Sequence, residues 1–206
     1  MKKFKLIVFD IDETLFNTIE KEEGKKLKAK RDHKLQHGSK HYYAYKRPYL
    51  EKFIKLCAKH FEYIGIWTHG DSLWLKKFIK HILPSDTKLL FTYSYGDSEA
   101  YNGDEEDRIK PLTKIYRRFG HLGINEKNTI MIEDTFENCR ENPKNCIIVP
   151  EFLIDENPED ITLPLLAAYI QSLNPRENIQ KQLSRNWRKQ IIKDLFKKGI
   201  KLEKHL

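Results

Sequence analysis

The sequence predicts an α/β fold, an open parallel sheet flanked by helices. Short, nearly continuous apolar segments rich in Ile and Val occur at 4–12, 63–69, 129–134 and 146–150, as expected for strands covered on both faces. Between them lie stretches of helical periodicity, and strands alternating with helices imply right-handed crossovers and parallel pairing. A third observation locates a site. Strand ends run into Asp10 and Asp12, Thr68 and His69, and Glu133 and Asp134, and open α/β sheets bind ligands at the carboxyl ends of their strands.

Each element follows in order. FKLIVFDID forms the first strand. Residues 20–46 are charged, His-containing and weakly periodic, which reads as a mobile flap or hairpin excursion. In RPYLEKFIKLCAKHF, Leu50, Phe53, Ile54, Leu56 and Cys57 fall near helical spacing, with Pro48 suited to the first turn. YIGIWTH gives the second strand and DSLWLKKFIKHIL the next helix. Residues 88–108 combine aromatic residues with an acidic, Gly-containing turn and read as an inserted β-hairpin. PLTKIYRRFGHLG is the helix before TIMIED and CIIVP.

The C-terminal segment reads as one amphipathic helix. Asn174 is placed to cap it, with Pro175 in its first turn and Glu177 three residues on. Ile179, Leu183, Trp187, Ile191 and Leu195 recur at four-residue intervals and Gly199 offers a stop, while Lys181, Arg185, Arg188, Lys189 and Lys193 lie opposite. The stripe either docks on the core or leaves a basic helix for a nucleic-acid or partner surface. The expected organisation is a domain over 1–173 and a basic helical extension over 174–206.

Composition bounds the function. With 206 residues, 39% hydrophobic and 33% charged, the chain suits a soluble globular protein with one sizeable core. The formal net charge of +8 favours acidic partners, among them phosphorylated protein, nucleic acid or an anionic surface, or else serves solubility alone. The start, lysines followed by apolar residues, is interrupted by Asp10 and Asp12 with no small-residue cleavage site, so neither a leader nor a membrane span is expected.

Three cysteines without CxxC spacing argue against a disulfide framework and a structural zinc site, and favour a cytoplasmic or nuclear setting. A cysteine phosphatase needs Arg six positions after its Cys, where Cys57, Cys139 and Cys146 have Tyr63, Asn145 and Phe152. His33, His37 and His41 recur at four-residue spacing and would share a face if helical, but a solvated flap explains them as well.

The stretch FDIDETLF places charge where a buried strand should avoid it. One explanation is helix capping, and Glu13 is read as such a helix-start charge. The other is phosphoryl transfer, in which Asp10 faces a phosphorus and Asp12 the leaving oxygen. A carboxylate nucleophile splits hydrolysis into two steps through an aspartyl-phosphate. Its approach to a phosphate dianion requires a hard cation such as Mg2+, held by oxygen ligands.

At this point the chain resembles a known superfamily. FDIDETLF resembles the first motif of the haloacid-dehalogenase-like (HAD-like) phosphohydrolases. WTHG supplies Thr68 at the phosphate-binding hydroxyl position, RIKPL supplies Lys110 at the phosphate-binding lysine, and MIEDT supplies Glu133 and Asp134 at the acidic fourth motif. A narrower resemblance covers about residues 4–173. YKRPYLEKFIKLCAKHFEYIGIWT, EDTFENCRENPKNCIIVPEF and DITLPLLAAYIQSL are similar to segments of the Fcp/Scp-like (NLI-interacting-factor-like) phosphatases, which act on the C-terminal domain of RNA polymerase II.

The resemblance implies a HAD-like, Rossmann-like fold and a Mg2+-dependent phosphatase for phosphoserine or phosphothreonine in protein. Asp10 would be nucleophile and metal ligand, and Asp12 acid, base and ligand through its carbonyl. Asp134 would complete the metal set, with Glu133 one step behind the ion. Thr68 and Lys110 would hold the phosphate. The insertion would shape the substrate groove, with Phe91, Tyr93, Tyr95 and Tyr101 as candidate walls or as the hairpin's own core. Two other classes stay open: a phosphatase for nucleotides, small metabolites or nucleic-acid 3′ ends, and an inactive binding module using the basic surface.

Overall fold

The structure, a computed structural model, describes residues 2–82 and 89–198. Its centre is a parallel sheet of β1 (Phe4–Phe9), β5 (Phe61–Trp67), β6 (Leu89–Tyr93), β9 (Thr129–Glu133) and β10 (Cys146–Ile148), in the order β10-β9-β1-β5-β6. A second, antiparallel sheet of β2 (Phe16–Glu20), β3 (His33–His37) and β4 (Lys40–Lys46) has the order β2-β4-β3, and β7 (Glu99–Tyr101) pairs with β8 (Asp104–Ile109) as a hairpin. The helices are α1 (Lys21–Gly24), α2 (Leu50–His60), α3 (Ser72–Ile82), α4 (Leu112–Phe119), α5 (Thr162–Ser172) and α6 (Trp187–Lys198).

Alternation along the strands sorts the core into two layers. Ile7 and Phe9 of β1, Ile64 and Ile66 of β5, and Ile130 and Ile132 of β9 pack with α2, α5 and α6 on one face. Leu6, Val8, Trp67 and Met131 face the other way, against Leu112 and Ile115 of α4. From β1 the chain adds β5 and β6 on one side, then crosses to β9 and β10 on the other. The strand order therefore reverses between β1 and β9, where Asp10 and Asp134 leave the sheet, and Asp10 N–H still bonds Ile132 O at 3.0 Å.

Several expectations are corrected. Residues 89–93 are not part of an inserted hairpin but the outer strand β6, whose Phe91 ring lies so close over β5 that a Cβ on Gly65 would stand 2.4 Å from it. The hairpin itself is only β7 and β8. Of the two readings of residues 20–46, the hairpin holds: β3 and β4 pair as a hairpin docked on the core beside β2, and His33, His37 and His41 stand on its strands rather than on one helix face.

The terminal segment is not one helix from Asn174. Asn174 Oδ1 accepts the Arg176 N–H in a tight turn, a short 3-10 turn follows at Ile179–Lys181, and α6 begins only at Trp187. Its apolar side docks: Ile179, Trp187, Ile191 and Leu195 join the main core cluster, and Trp187 Nε1 donates to Ile148 O at 2.9 Å. The reason lies in α5, whose residues from Thr162 to Ile170 are all buried, so its outer face needs α6 as cover. Gly199, the expected stop, lies outside the described residues.

Cys139 and Cys146 form a disulfide, their Cα atoms 6.4 Å apart, and Cys57 is free and buried. An odd count forbids pairing every cysteine, not one pair, and the turn between β9 and β10 brings these two together. The cysteines therefore no longer speak for a reducing compartment. Among the described residues no helix is long and apolar enough to cross a membrane.

Candidate active site

The site starts with the backbone after β1. Leu15 and Phe16 N–H both return to Ile11 O, Thr14 N–H reaches Asp12 O at 2.6 Å, and Glu13 N–H reaches Phe16 O at 2.7 Å. Glu13 takes a left-handed φ of 54°, uncommon for a side chain of its size. No helix follows, so Glu13 is not a helix-start charge; the chain turns directly into β2. This turn lifts Asp12 to the rim and points the buried Thr14 across to β9, where its hydroxyl donates to Asp134 Oδ1 at 2.8 Å. Thr135 Oγ1 donates to the other oxygen at 3.0 Å.

Beneath the rim, Lys110 is fully buried between two carboxylates. Its Nζ lies 2.5 Å from Asp10 Oδ1 and 2.7 Å from Glu133 Oε2, and Glu133 Oε1 accepts Asn138 Nδ2 at 3.0 Å. Lys110 comes from the residue after β8, its backbone N–H tied to Asn138 O at 2.9 Å. Burial alone would lower the lysine pKa, but Asp10 and Glu133 outweigh it and hold the ammonium charged. One ammonium cannot neutralise two buried carboxylates. Burial first, and then Glu133, push Asp10 well above the usual carboxylate range despite Lys110, and burial likewise raises Glu133.

The loop after β5 supplies the second wall. Thr68, fully buried, donates its hydroxyl to Asp12 Oδ2 at 2.8 Å and accepts Gly70 N–H at 2.9 Å. Gly70 leaves little room for a side chain. A Cβ there would stand 2.9 Å from Trp74 Cδ1, 3.3 Å from Thr68 Oγ1 and 3.5 Å from Asp12 Oδ2. His69 sits beside Tyr95, ring centroids 5.9 Å apart, and its pKa is pushed down to about 4 by burial, then by Lys110 and Arg108.

All six charged or hydroxyl residues singled out from the sequence, Asp10, Asp12, Thr68, Lys110, Glu133 and Asp134, thus converge at one sheet edge. The proposed groove aromatics do not act together. Phe91 and Tyr93 are core residues: Tyr93, 3% exposed, packs against Trp67 and Phe91, and its hydroxyl accepts from Arg118. Tyr95, 42% exposed, remains at the mouth, with the Arg108 guanidinium 5.0 Å from its ring centre. Tyr101 is half-buried under Arg140. Sequence reasoning passed over Gly70, Trp74 and Asn138. The first two stood in WTHGDSLW, where the helical pattern absorbed Trp74, and Asn138 carried no signal until a turn brought it back to Glu133.

The donor set suits a hard divalent cation. Asp10, Glu133 and Asp134 each offer a carboxylate oxygen, all within 4.8 Å of one another. Oxygen ligands, an excess of negative charge and partial access to water are what Mg2+ prefers. Glu133 accepts from Lys110, Asn138 and the Thr135 N–H, against two hydroxyl donors on Asp134 and the Lys110 ammonium on Asp10, which leaves Asp10 and Asp134 as the freer pair. The Asp12 carbonyl accepts the Thr14 N–H and keeps a second lone pair.

Known proteins share this arrangement of elements. The chain is 23% identical over 197 residues to the ubiquitin-like domain-containing CTD phosphatase 1 of Xenopus tropicalis, covering 92% of this chain and 56% of that protein. It is 24% identical over 196 residues to the Danio rerio protein of the same name, again over 92% and 56%. The chain therefore spans about half the length of these relatives. Among solved structures, that of Fcp1, an essential RNA polymerase II CTD phosphatase, superposes with a TM-score of 0.54 at 20% identity, over 95% of this chain and 62% of the other. Fission yeast Fcp1-R271A bound to beryllium fluoride gives 0.53 at 21% identity, over 98% and 54%. These two likenesses establish the HAD-like fold. The model of the NLI interacting factor-like phosphatases matches residues 5–199, the acidic edge and the α6 cover together, and the chain belongs to that family.

Proposed function

We propose that this chain is a Mg2+-dependent phosphatase that works through an aspartyl-phosphate on Asp10, acting on phosphoserine or phosphothreonine in a protein of the RNA polymerase II C-terminal-domain type. The observation that carries the reading is Lys110 shared between Asp10 and Glu133 at 2.5 and 2.7 Å, beside an Asp12 held by Thr68. A carboxylate locked against an ammonium at the floor of a site is poised for in-line attack, and the same ammonium meets the charge that develops on phosphorus.

In the first step an Asp10 oxygen forms a bond to phosphorus as the bond to the serine or threonine oxygen breaks. Asp12, outside the Lys110 pair and at the rim, gives its proton to that oxygen. In the second step water attacks the phosphorus, Asp12 takes its proton, and phosphate leaves with Asp10 restored. Thr68 turns its hydroxyl from Asp12 to a phosphate oxygen. Asp10, Asp134 and the Asp12 carbonyl would hold Mg2+, which supplies charge neutralisation for the approaching dianion. Tyr95 at the mouth serves as one wall for a peptide. Membership of a phosphatase family and the relatives' named activity favour protein as the substrate.

The test is turnover of an aryl phosphate with magnesium, with and without chelator, beside Asp10→Asn. We expect turnover to require the ion and to disappear in the variant; activity that survives Asp10→Asn sinks the mechanism. A panel of phosphopeptides against nucleotides and 3′-phosphorylated oligonucleotides then reads the substrate class. The net charge of +8 suits nucleic acid too, so preference for the oligonucleotides would replace the protein substrate.

A further inference from the structure

Beside the backbone bridge of Phe16 in β2, the flap of β2, β4 and β3 reaches the Asp12 side chain by way of Trp74. Trp74, in the first turn of α3, donates its indole N–H to Asp12 Oδ1 in a long bond of 3.5 Å, while Thr68 takes the other oxygen. The indole edge lies directly on Gly70, where a Cβ would stand 2.9 Å from it. On its far side the ring is gripped by the flap. Tyr42 of β4 and His37 of β3 meet it edge-on, with centroids 5.2 and 5.5 Å away.

One carboxylate locks this contact to the helix start. Asp71 Oδ1 accepts the Leu73 and Trp74 N–H groups at 2.8 and 2.9 Å, which fixes where α3 begins. Its Oδ2 lies 2.9 Å from His37 Nε2. The residue that caps α3 is thus the one that ties α3 to the flap, and the indole is placed from both sides.

We propose that Trp74 is a positioning residue for Asp12, set in place by the flap through His37 and Tyr42. The proposal rests on the reading of Asp12 as general acid. A carboxyl rotates easily about its last bond, and proton transfer requires it within hydrogen-bond reach of the leaving oxygen. Thr68 fixes one oxygen only until substrate takes its hydroxyl. Trp74 then remains the group that stops the rotation, and an indole can only donate, so it cannot compete for the proton. The flap becomes part of the acid's alignment as well as a cover.

The test compares p-nitrophenyl and phenyl phosphate, which are nearly alike in shape but differ in how much their leaving oxygen needs a proton. The quantity is kcat/KM, which reports only the steps through release of the phenol. For Trp74→Phe we expect about a tenfold loss on phenyl phosphate and about two- to threefold on p-nitrophenyl phosphate. His37→Ala, on a surface strand, should give the same ordering at about threefold on phenyl phosphate. Equal losses on both esters, or none, overturn the role of Trp74. An ordering in Trp74→Phe that is absent from His37→Ala overturns the part given to the flap. Failure of the underlying reading would look different: Asp12→Asn itself would then lose as much on p-nitrophenyl phosphate as on phenyl phosphate.

Discussion

Two buried cations lie under the same strand ends, and they are built to opposite plans. Arg47 meets Asp160 through Nε at 2.9 Å and Nη2 at 3.2 Å, and gives its remaining donors to Thr14 O and Pro150 O. Asp160 in turn accepts Thr162 N–H and hydroxyl at 2.8 and 2.9 Å. One charge faces one charge and nearly every donor is used. Burial would raise the Asp160 pKa, but Arg47 and the Thr162 donors overcome it and hold it low. Lys110 faces two carboxylates, with Asp134 close by, and Asp10 and Glu133 are raised. A closed network holds a fold together; an open one is short of a positive charge and waits for a cation or a proton. The difference separates a structural ion pair from a site more sharply than burial does, since both cations are fully buried.

The largest effect should come from opening the closed network. Arg47→Met leaves Asp160 buried without its partner, and removing one member of such a pair costs about 3–5 kcal/mol. Denaturant unfolding should show a midpoint lowered accordingly. Asp160→Asn, which keeps one acceptor oxygen but turns an NH2 donor toward donors and leaves the Arg47 charge unpaired, should cost a comparable amount. An Arg47→Met protein as stable as the parent would mean that the network is not closed in solution.

Lys110→Met makes the complementary break. Asp10 and Glu133 can take up protons, their pKa values being raised already, so the fold should suffer less than in Arg47→Met. Turnover of an aryl phosphate should instead fall about 10²- to 10³-fold, the usual loss when one preorganised donor is taken from a developing charge. If Lys110→Met unfolds the protein and Arg47→Met leaves it stable but inactive, the two networks have been assigned the wrong way round.

How much of this was legible in the sequence follows from the range of the interactions. Asp10, Asp12, Thr68 and Asp134 each stand at the end of a strand whose local pattern is strong, so their convergence followed from the topology, whereas Lys110, which follows the outlying hairpin, was marked only by the family resemblance. Arg47 was readable only as part of RPYLEKF, because its partner lies 113 residues away and nothing local marks Asp160 as its mate. The strand β6 was hidden by position. An outer strand with Thr92 exposed and Phe91 and Tyr93 buried looks the same in sequence as one arm of a hairpin. The C-terminal stripe was read correctly as apolar but not as broken, since the four-residue interval from Ile179 to Leu195 runs straight through a turn. That turn is set by side-chain bonds, among them Asn174 N–H to Gln182 Oε1 at 2.8 Å, which periodicity does not record.

A smaller effect tests the rim rather than the floor. Gly70→Ala would push a methyl against Trp74 and the Thr68 hydroxyl. The indole edge can give by a few tenths of an ångström, so stability should change by less than about 1 kcal/mol. The Asp12 carboxylate depends on both neighbours, and turnover should fall about tenfold. Equal activity in Gly70→Ala would show that the rim tolerates displacement and that only the Lys110 floor is finely placed.

The smallest effect concerns protons. His69 has its pKa pushed down to about 4, first by burial and then by Lys110 and Arg108, so the folded chain keeps it neutral where an unfolded chain would charge it. Between about pH 6.5 and 4 the unfolded state therefore binds more protons, and stability falls as the pH drops through that window. The ring is only partly buried, and solvent screening should hold the loss to about 1 kcal/mol. Glu13 works against it. Burial, Asp12 and Asp134 raise its pKa to about 7, so the folded chain takes a proton first, and its contribution grows as the pH falls from about 7 to 4.5. Asp10 and Glu133, raised as well, act in the same direction as Glu13, so the parent's own pH profile is a sum of opposed slopes and decides little. The informative measurement is the change in unfolding free energy between pH 7 and 4.5 for the parent and for His69→Gln. The variant should lose less stability on acidification, and an identical loss would mean that the ring titrates as it does in water and that Tyr95 does not shield it.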